Sequence, residues 1–105
     1  MSLNVYEYGN VFRFNAGTDI SATTPTLILE PRYGKALEKT VTDGVTIPVV
    51  DVTVNGVTFL QNEYVEYTFK DGDLTIDGRW RAKLKAKFSP TKELITNYQR
   101  FTVMP

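Results

Sequence analysis

The sequence predicts an all-β domain, either a sandwich or a barrel. Hydrophobic and polar residues alternate over several stretches, whereas the 3.6-residue spacing of an amphipathic helix is nearly absent. Turn-forming residues recur roughly every 8–12 residues, as expected of short strands joined by tight connections. The chain has 105 residues, of which 42% are hydrophobic and 23% charged. This balance suits one folded domain with a single core.

The first half of the chain contains three candidate strands. The stretch "NVFRFNA" (10–16) places two phenylalanines on one face of an extended chain. The stretch "TLILE" (26–30) ends at "PRYG" (31–34), where proline fixes φ and glycine allows a tight bend. We expect a further strand in "ALEKTV" (36–41), followed by a turn at the next Asp-Gly pair.

The middle of the chain predicts one long strand and one hairpin. The apolar run "VTIPVVDVTV" covers residues 45–54, and Pro48 marks an edge or a bulge because proline cannot donate a ladder hydrogen bond. Asn55 and Gly56 lie between two β-branched runs. This pair favours a two-residue hairpin with a type I′ turn over residues 52–59.

The last third of the chain predicts three strands, at residues 63–69, 78–88 and 97–104. The stretch "GRWRAKLKAKF" (78–88) has the most regular alternation in the sequence. No internal repeat or low-complexity linker divides the chain. We therefore expect one domain over residues 10–105.

Residues 1–9, "MSLNVYEYG", are predicted to form an N-terminal arm outside that domain. They lack the basic and apolar regions of a signal peptide, and no apolar run in the chain reaches about 18 residues, so we expect neither a signal peptide nor a membrane span. Free termini are usually poorly ordered unless something holds them. We expect the arm to dock on a neighbouring subunit through Val5, Tyr6 and Tyr8, with packing on its own domain as the alternative.

The composition excludes several kinds of catalysis. The chain has no histidine and no cysteine, which rules out a Ser-His triad, histidine or thiolate metal sites, thiol catalysis and disulfides. Glu63 and Glu66 have opposite parity and point to opposite faces of a strand. Asp71, Asp73 and Asp77 crowd one turn without a recognisable cleft. We expect no enzymatic activity and no cofactor.

Residues 71–82 have only part of the pattern of a calcium-binding loop. Asp71 and Asp73 stand at the first and third positions of such a loop. Thr75, Ile76 and Ala82 stand where a ligand, a glycine and a bidentate glutamate are needed. We therefore expect no metal, and we interpret the two Asp-Gly pairs as turns in which the Asp73 carboxylate accepts local backbone N–H groups.

The predicted strand 78–88 has two chemically different faces. Trp80 and the alternate residues that follow it form a core face, whereas cations follow each other roughly 7 Å apart on the opposite face. Residues 78–92 hold six cations and no acid, and the rest of the chain has a balance of −6. The cations of the strand are Arg79, Arg81, Lys83, Lys85 and Lys87.

Three interpretations of the cationic face remain open. It could be a solvated face with lysines guarding an edge, a contact with an acidic partner protein, or a nucleic-acid site. Nucleic acid is the least favoured because the face has no interleaved aromatic residues, Trp80 points to the opposite side, and the net charge is zero. An acidic partner could be a different protein or another copy of the chain bound head to tail.

A set of short motifs carries a family resemblance over roughly residues 18–105. The motifs are Asp19-Ile20-Ser21, Pro31 to Gly34, Tyr67-Thr68, Gly72-Asp73-Leu74, Gly78, Trp80 and the closing "FTVMP". Together they resemble the small immunoglobulin-like domain of tail and baseplate proteins of tailed bacteriophages. The chain departs from the family pattern in its middle segment (36–62) and in its basic strand.

The resemblance implies an immunoglobulin-like antiparallel β-sandwich of about seven or eight strands. In that fold Gly72, Asp73, Leu74, Gly78 and Trp80 have structural roles. It also implies a non-enzymatic component of a virion, in the tail, baseplate or neck, assembled in the host cytoplasm. The expected partners are other virion proteins and copies of the same chain, without a membrane.

Two other functions are compatible with such a fold. One is a capsid decoration (cement) protein. The other is a carbohydrate- or receptor-binding module, which needs exposed aromatic residues around a groove. The candidate residues for that module are Tyr6, Tyr8, Tyr33 and Tyr64.

Overall fold

The computed structural model describes residues 3–105; Met1 and Ser2, which belong to the predicted arm, lie outside the described residues. The described part contains ten strands and a single 3₁₀ turn at Val41–Asp43, so the all-β prediction is confirmed. No helix in residues 3–105 has the length and apolar character needed to cross a membrane. The strands are β1 (Leu3–Asn4), β2 (Val11–Asn15), β3 (Thr24–Pro31), β4 (Leu37–Lys39), β5 (Val52–Val54), β6 (Val57–Phe59), β7 (Tyr64–Thr68), β8 (Gly78–Ser89), β9 (Lys92–Ile95) and β10 (Gln99–Met104).

Six strands form the main sheet, in the order β1-β10-β8-β3-β4, with β9 also paired to β8. One edge of β8 pairs with β3, and its other edge pairs with β10 over residues 78–82 and with β9 from residue 85 onward. All these pairs are antiparallel except β1 with β10, which is parallel. The main sheet is therefore mixed, and the prediction of a purely antiparallel fold is wrong at this edge.

The antiparallel pair β2–β7 covers the inner face of the main sheet. Phe12 of β2 and Phe101 of β10 bring their ring centroids to 5.2 Å, and Phe69 lies 5.8 Å from Phe12. The Phe12–Phe101 contact joins the two layers, and the Phe12–Phe69 contact lies within the covering layer. The predicted inward direction of the phenylalanines of residues 10–16 is confirmed.

Strand β8 follows its predicted alternation closely. Trp80, Ala82, Leu84 and Ala86 are buried, and Phe88, at the end of the strand, is half-buried. The small alanines let the β2–β7 layer approach the sheet. Trp80, near the beginning of β8, fills the space between the layers there and is 3% exposed. The cations that alternate with these residues are left on the outer face.

The predicted separation of residues 1–9 from the domain is wrong for the residues that the structure describes. Leu3 is 0% exposed within the core, and β1 pairs with the end of β10. The Val5 N–H donates to the Met104 carbonyl at 2.8 Å, and the Tyr6 N–H donates to Leu74 at 2.6 Å. A strand of two residues is too short to show periodicity in the sequence. It is held in place because Leu3 is buried and because the strand pairs with an open edge of the sheet.

The middle segment contains the confirmed hairpin and one wrong prediction. Strands β5 and β6 join through Asn55 and Gly56, which have φ of 50° and 80°, as a type I′ turn requires. The preceding run at 45–51 is irregular rather than a strand and pairs only through a single bridge from Thr46 to Glu66. Pro48 and the two exposed valines after it account for this, because proline cannot donate a ladder hydrogen bond and the inward alternation ends after Val45 and Ile47, which pack on the core.

Candidate functional site

The outer face of the main sheet carries the cations of β8. We call this surface the basic face. Arg79, Arg81 and Lys87 are exposed, whereas Lys83 and Lys85 are half-buried by neighbours on adjoining strands. The register adds Glu30 of β3 and Arg100 of β10 on either side of Arg81. The strand thus holds five cations in one row, as predicted. The basic face consists of Arg79, Arg81, Lys83, Lys85, Lys87, Glu30, Tyr98 and Arg100.

An aromatic residue lies on the basic face, contrary to the sequence prediction. Tyr98, in the connection between β9 and β10, has its ring 3.9 Å from the Arg81 guanidinium carbon and 5.1 Å from the Lys83 ammonium. It is 40% exposed, and its hydroxyl donates to Glu30 Oε1 at 3.4 Å. The alternation of β8 predicts only which residues of that strand share a face. Tyr98 reaches the same face from a neighbouring segment.

Within residues 3–105, Arg81 is the only cation of the row that has an ion-pair partner. Its Nε donates to Glu30 Oε2 at 2.9 Å. Among residues 3–105, the other two ion pairs join Arg13 to Glu66 and Lys39 to Asp73, away from the basic face. The remaining cations of the row therefore have no ion-pair partner in the described part of the chain.

Four arginines meet at the end of the basic face where β8 begins. The Arg32 N–H donates to the Arg79 carbonyl at 2.8 Å, which places Arg32 beside Arg79 just after β3 ends. Arg100 lies opposite Arg81 across the pairing of β10 with β8. A pocket of about 280 Å³ opens between them, and we call it the arginine pocket. Its lining residues are Glu30, Pro31, Arg32, Arg79, Trp80, Arg81 and Arg100.

The Gly72-Asp73-Leu74 turn has a structural role. Asp73 is 7% exposed and accepts hydrogen bonds from Lys39 Nζ at 2.8 Å, from the Lys70 N–H at 2.8 Å and from the Tyr67 hydroxyl. The Lys70 bond confirms the predicted local backbone contact. Burial raises the pKa of Asp73, but these donors outweigh it and hold the pKa below its usual value.

The hydrogen bonds to Asp73 also bear on whether residues 71–82 could bind calcium. Both carboxylate oxygens of Asp73 are bound to protein donors rather than open to a cation. No group of three acidic side chains within residues 3–105 is placed to hold a metal ion. Burial and the adjacent Asp73 raise the pKa of Tyr67, so its hydroxyl stays protonated and donates.

The tyrosines proposed for other surfaces differ in position. Tyr6 and Tyr8 are exposed beside half-buried Val5, so the residues predicted to contact a neighbouring subunit are accessible although their backbone belongs to the domain. Tyr33 is exposed, with the Arg32 guanidinium 5.3 Å from its ring. Tyr64 is buried against Phe59 and donates to the Val50 carbonyl, so its proposed role on a carbohydrate-binding surface is wrong.

No protein-family model matches the chain, and no curated protein is significantly similar to it in sequence. Function is therefore inferred from the chemistry of the basic face and from the motif resemblance.

Proposed function

We propose that the chain is a non-enzymatic structural protein of a tailed-bacteriophage particle, and that its basic face docks on an acidic protein surface within the particle. The observation that carries the docking proposal is the row of cations on β8, most of which have no ion-pair partner among residues 3–105. The phage assignment, in tail, baseplate or neck, depends on the motif resemblance.

The positions of the motif residues support an immunoglobulin-like sandwich that serves as a spacer or adaptor. Gly78 begins β8 with φ of 105°, a conformation that favours glycine. Trp80 follows two residues later and anchors the core between the layers. Leu74 and Asp73 fix the turn that leads to this strand. A framework of this kind leaves function to its outer surfaces.

The basic face combines charge with apolar contact area. Exposed ion pairs contribute only about 0–1 kcal/mol each, so charge alone does not hold an assembly. Charge complementarity speeds association and fixes orientation. Ile95 is exposed directly opposite Lys85, and the Tyr98 ring is partly exposed nearby, so both can supply apolar contacts.

Nucleic acid is the second candidate partner, because Tyr98 provides an aromatic ring among cations. Base stacking on such rings is common in single-strand binding. One side of this ring is already covered by Arg81, and Glu30 lies beside it. These two contacts favour an acidic protein surface over a nucleic-acid strand.

The double variant Lys83→Glu/Lys85→Glu tests the docking proposal. We expect it to fold normally but to enter particles poorly, because reversing two charges turns attraction into repulsion. Quantitative mass spectrometry of purified particles measures incorporation. Arg81 stays unchanged, because the loss of its ion pair with Glu30 would confuse the result.

The matched control is Lys35→Glu/Lys70→Glu, which changes the net charge equally in two exposed loop residues outside the basic face. We expect this control to be incorporated like the wild type. Equal incorporation of both variants would refute docking through the basic face. A wild-type shift of DNA in a gel, with steep salt dependence, would instead support the nucleic-acid alternative.

A further inference from the structure

The arginine pocket concentrates positive charge that the chain itself does not neutralise. Four arginines and one glutamate line it. Arg81 is bound to Glu30, whereas Arg32, Arg79 and Arg100 have no ion pair within residues 3–105. Like charges directly opposite each other on paired strands are unfavourable, as for Arg81 and Arg100. An anion in the pocket would relieve that repulsion.

The side chains of the pocket suit a carboxylate. A guanidinium is planar and presents paired N–H donors that match the two oxygens of a carboxylate. Within the pocket, Arg81 Nε already donates to one oxygen of the Glu30 carboxylate, Oε2, at 2.9 Å. Arg32, Arg79 and Arg100, which have no ion pair within residues 3–105, can likewise donate hydrogen bonds to an incoming carboxylate.

We propose that the arginine pocket is a binding site for a carboxylate side chain of an acidic protein segment, and that it anchors the docking described above. The inference rests on the proposed function, because it specifies which part of the basic face holds the partner. Arg32, Arg79 and Arg100 bind the carboxylate, while the lysines farther along β8 guide the approach of the segment.

The size and charge of the pocket favour a protein segment over a polynucleotide. Its volume of about 280 Å³ lies just below the range of about 300–1,000 Å³ that is typical of ligand pockets. One or two acidic side chains fit such a space, whereas a run of nucleotides does not. Glu30 in the wall offsets one of the four arginine charges, so the pocket has charge for only a few anionic groups.

Fluorescence anisotropy with a labelled, end-blocked hexaglutamate peptide tests this site. The variant Arg79→Gln/Arg100→Gln removes two charges from the pocket, and Lys85→Gln/Lys87→Gln removes two from the other end of the same strand. At about 150 mM salt, where exposed charges are screened beyond about 8 Å, we expect the arginine variant to lose at least about tenfold in affinity. The lysine variant should lose at most about threefold.

A charge-preserving variant separates bidentate binding from simple attraction. Arg79→Lys/Arg100→Lys keeps both charges but not the planar donors, so we expect a loss close to that of the glutamine variant. Thermal melting with and without the peptide gives an independent readout on the wild type, which bound peptide should stabilise.

Three results would overturn the assignment. They are equal losses in the arginine and lysine variants, no binding of the peptide by the wild type, and tighter binding of a single-stranded DNA of equal charge. Equal losses of peptide affinity in the two variants would refute the arginine pocket as the binding site. They would not refute docking through the basic face, because particle incorporation tests that proposal separately.

Discussion

Replacing Trp80 by alanine is expected to lower the free energy of unfolding by about 3–5 kcal/mol, as for other large aromatic residues truncated in a core. Trp80 is buried, and its ring stacks on Phe101 with centroids 5.9 Å apart. Its Nε1–H also donates to the Ile76 carbonyl at 2.9 Å. The change therefore leaves a cavity and an unpaired carbonyl. Urea unfolding followed by circular dichroism measures the loss.

The control variant Trp80→Phe keeps an aromatic ring in the core but removes the N–H donor. We expect it to cost about 1–3 kcal/mol, clearly less than alanine. An alanine variant with the unfolding midpoint of the wild type would show that Trp80 does not anchor the core.

Replacing Asp73 by alanine is expected to destabilise the domain by about 3–5 kcal/mol, because it leaves the Lys39 ammonium largely buried without its partner. Lys39 extends from edge strand β4 to Asp73 in the loop after β7, so the pair joins the main sheet to the covering layer. The Tyr67 hydroxyl and the Lys70 N–H would lose their acceptor as well.

The double variant Lys39→Met/Asp73→Ala should recover about half of that loss, since neither charge then remains buried alone. If the double variant were less stable by the sum of both single changes, the two residues would not act as a pair.

The lowered pKa of Asp73 also predicts a pH dependence. In the folded chain the pKa of the Asp73 carboxyl lies below the ordinary value that it has in the unfolded chain. The ionised carboxylate therefore stabilises the fold fully above the unfolded value, and this contribution is lost as the pH falls through the folded pKa. In Asp73→Asn, we expect stability to fall less steeply on acidification than in the wild type. Identical acid slopes would contradict this account.

Local sequence predicted the elements whose signals are local. Strand β8 is twelve residues long and alternates regularly between its ends, and the β5–β6 hairpin depends on one Asn-Gly pair. The sequence carries no signal for β1, which has only two residues, or for β9, whose residues "KELI" do not alternate. Their pairing depends on the edges that β10 and β8 offer after the chain has folded.

The candidate site was predicted only in part, for a related reason. The cation row lies on one strand and follows from alternation alone. Arg32, Tyr98 and Arg100 reach the basic face from other segments, and only the register between strands places them there. Tyr98 and Arg100 stand two residues apart, which places an aromatic ring and a cation on one side of an extended chain. The local sequence does not indicate whether that side is the face that carries the β8 cations.

The position of the chain in a reconstructed particle tests the central proposal most directly. Cryo-electron microscopy of the intact particle at side-chain resolution would show what covers the main sheet. We expect the basic face to lie against an acidic protein surface, with a carboxylate between Arg79 and Arg100. A basic face open to solvent, or laid against nucleic acid, would contradict the proposal.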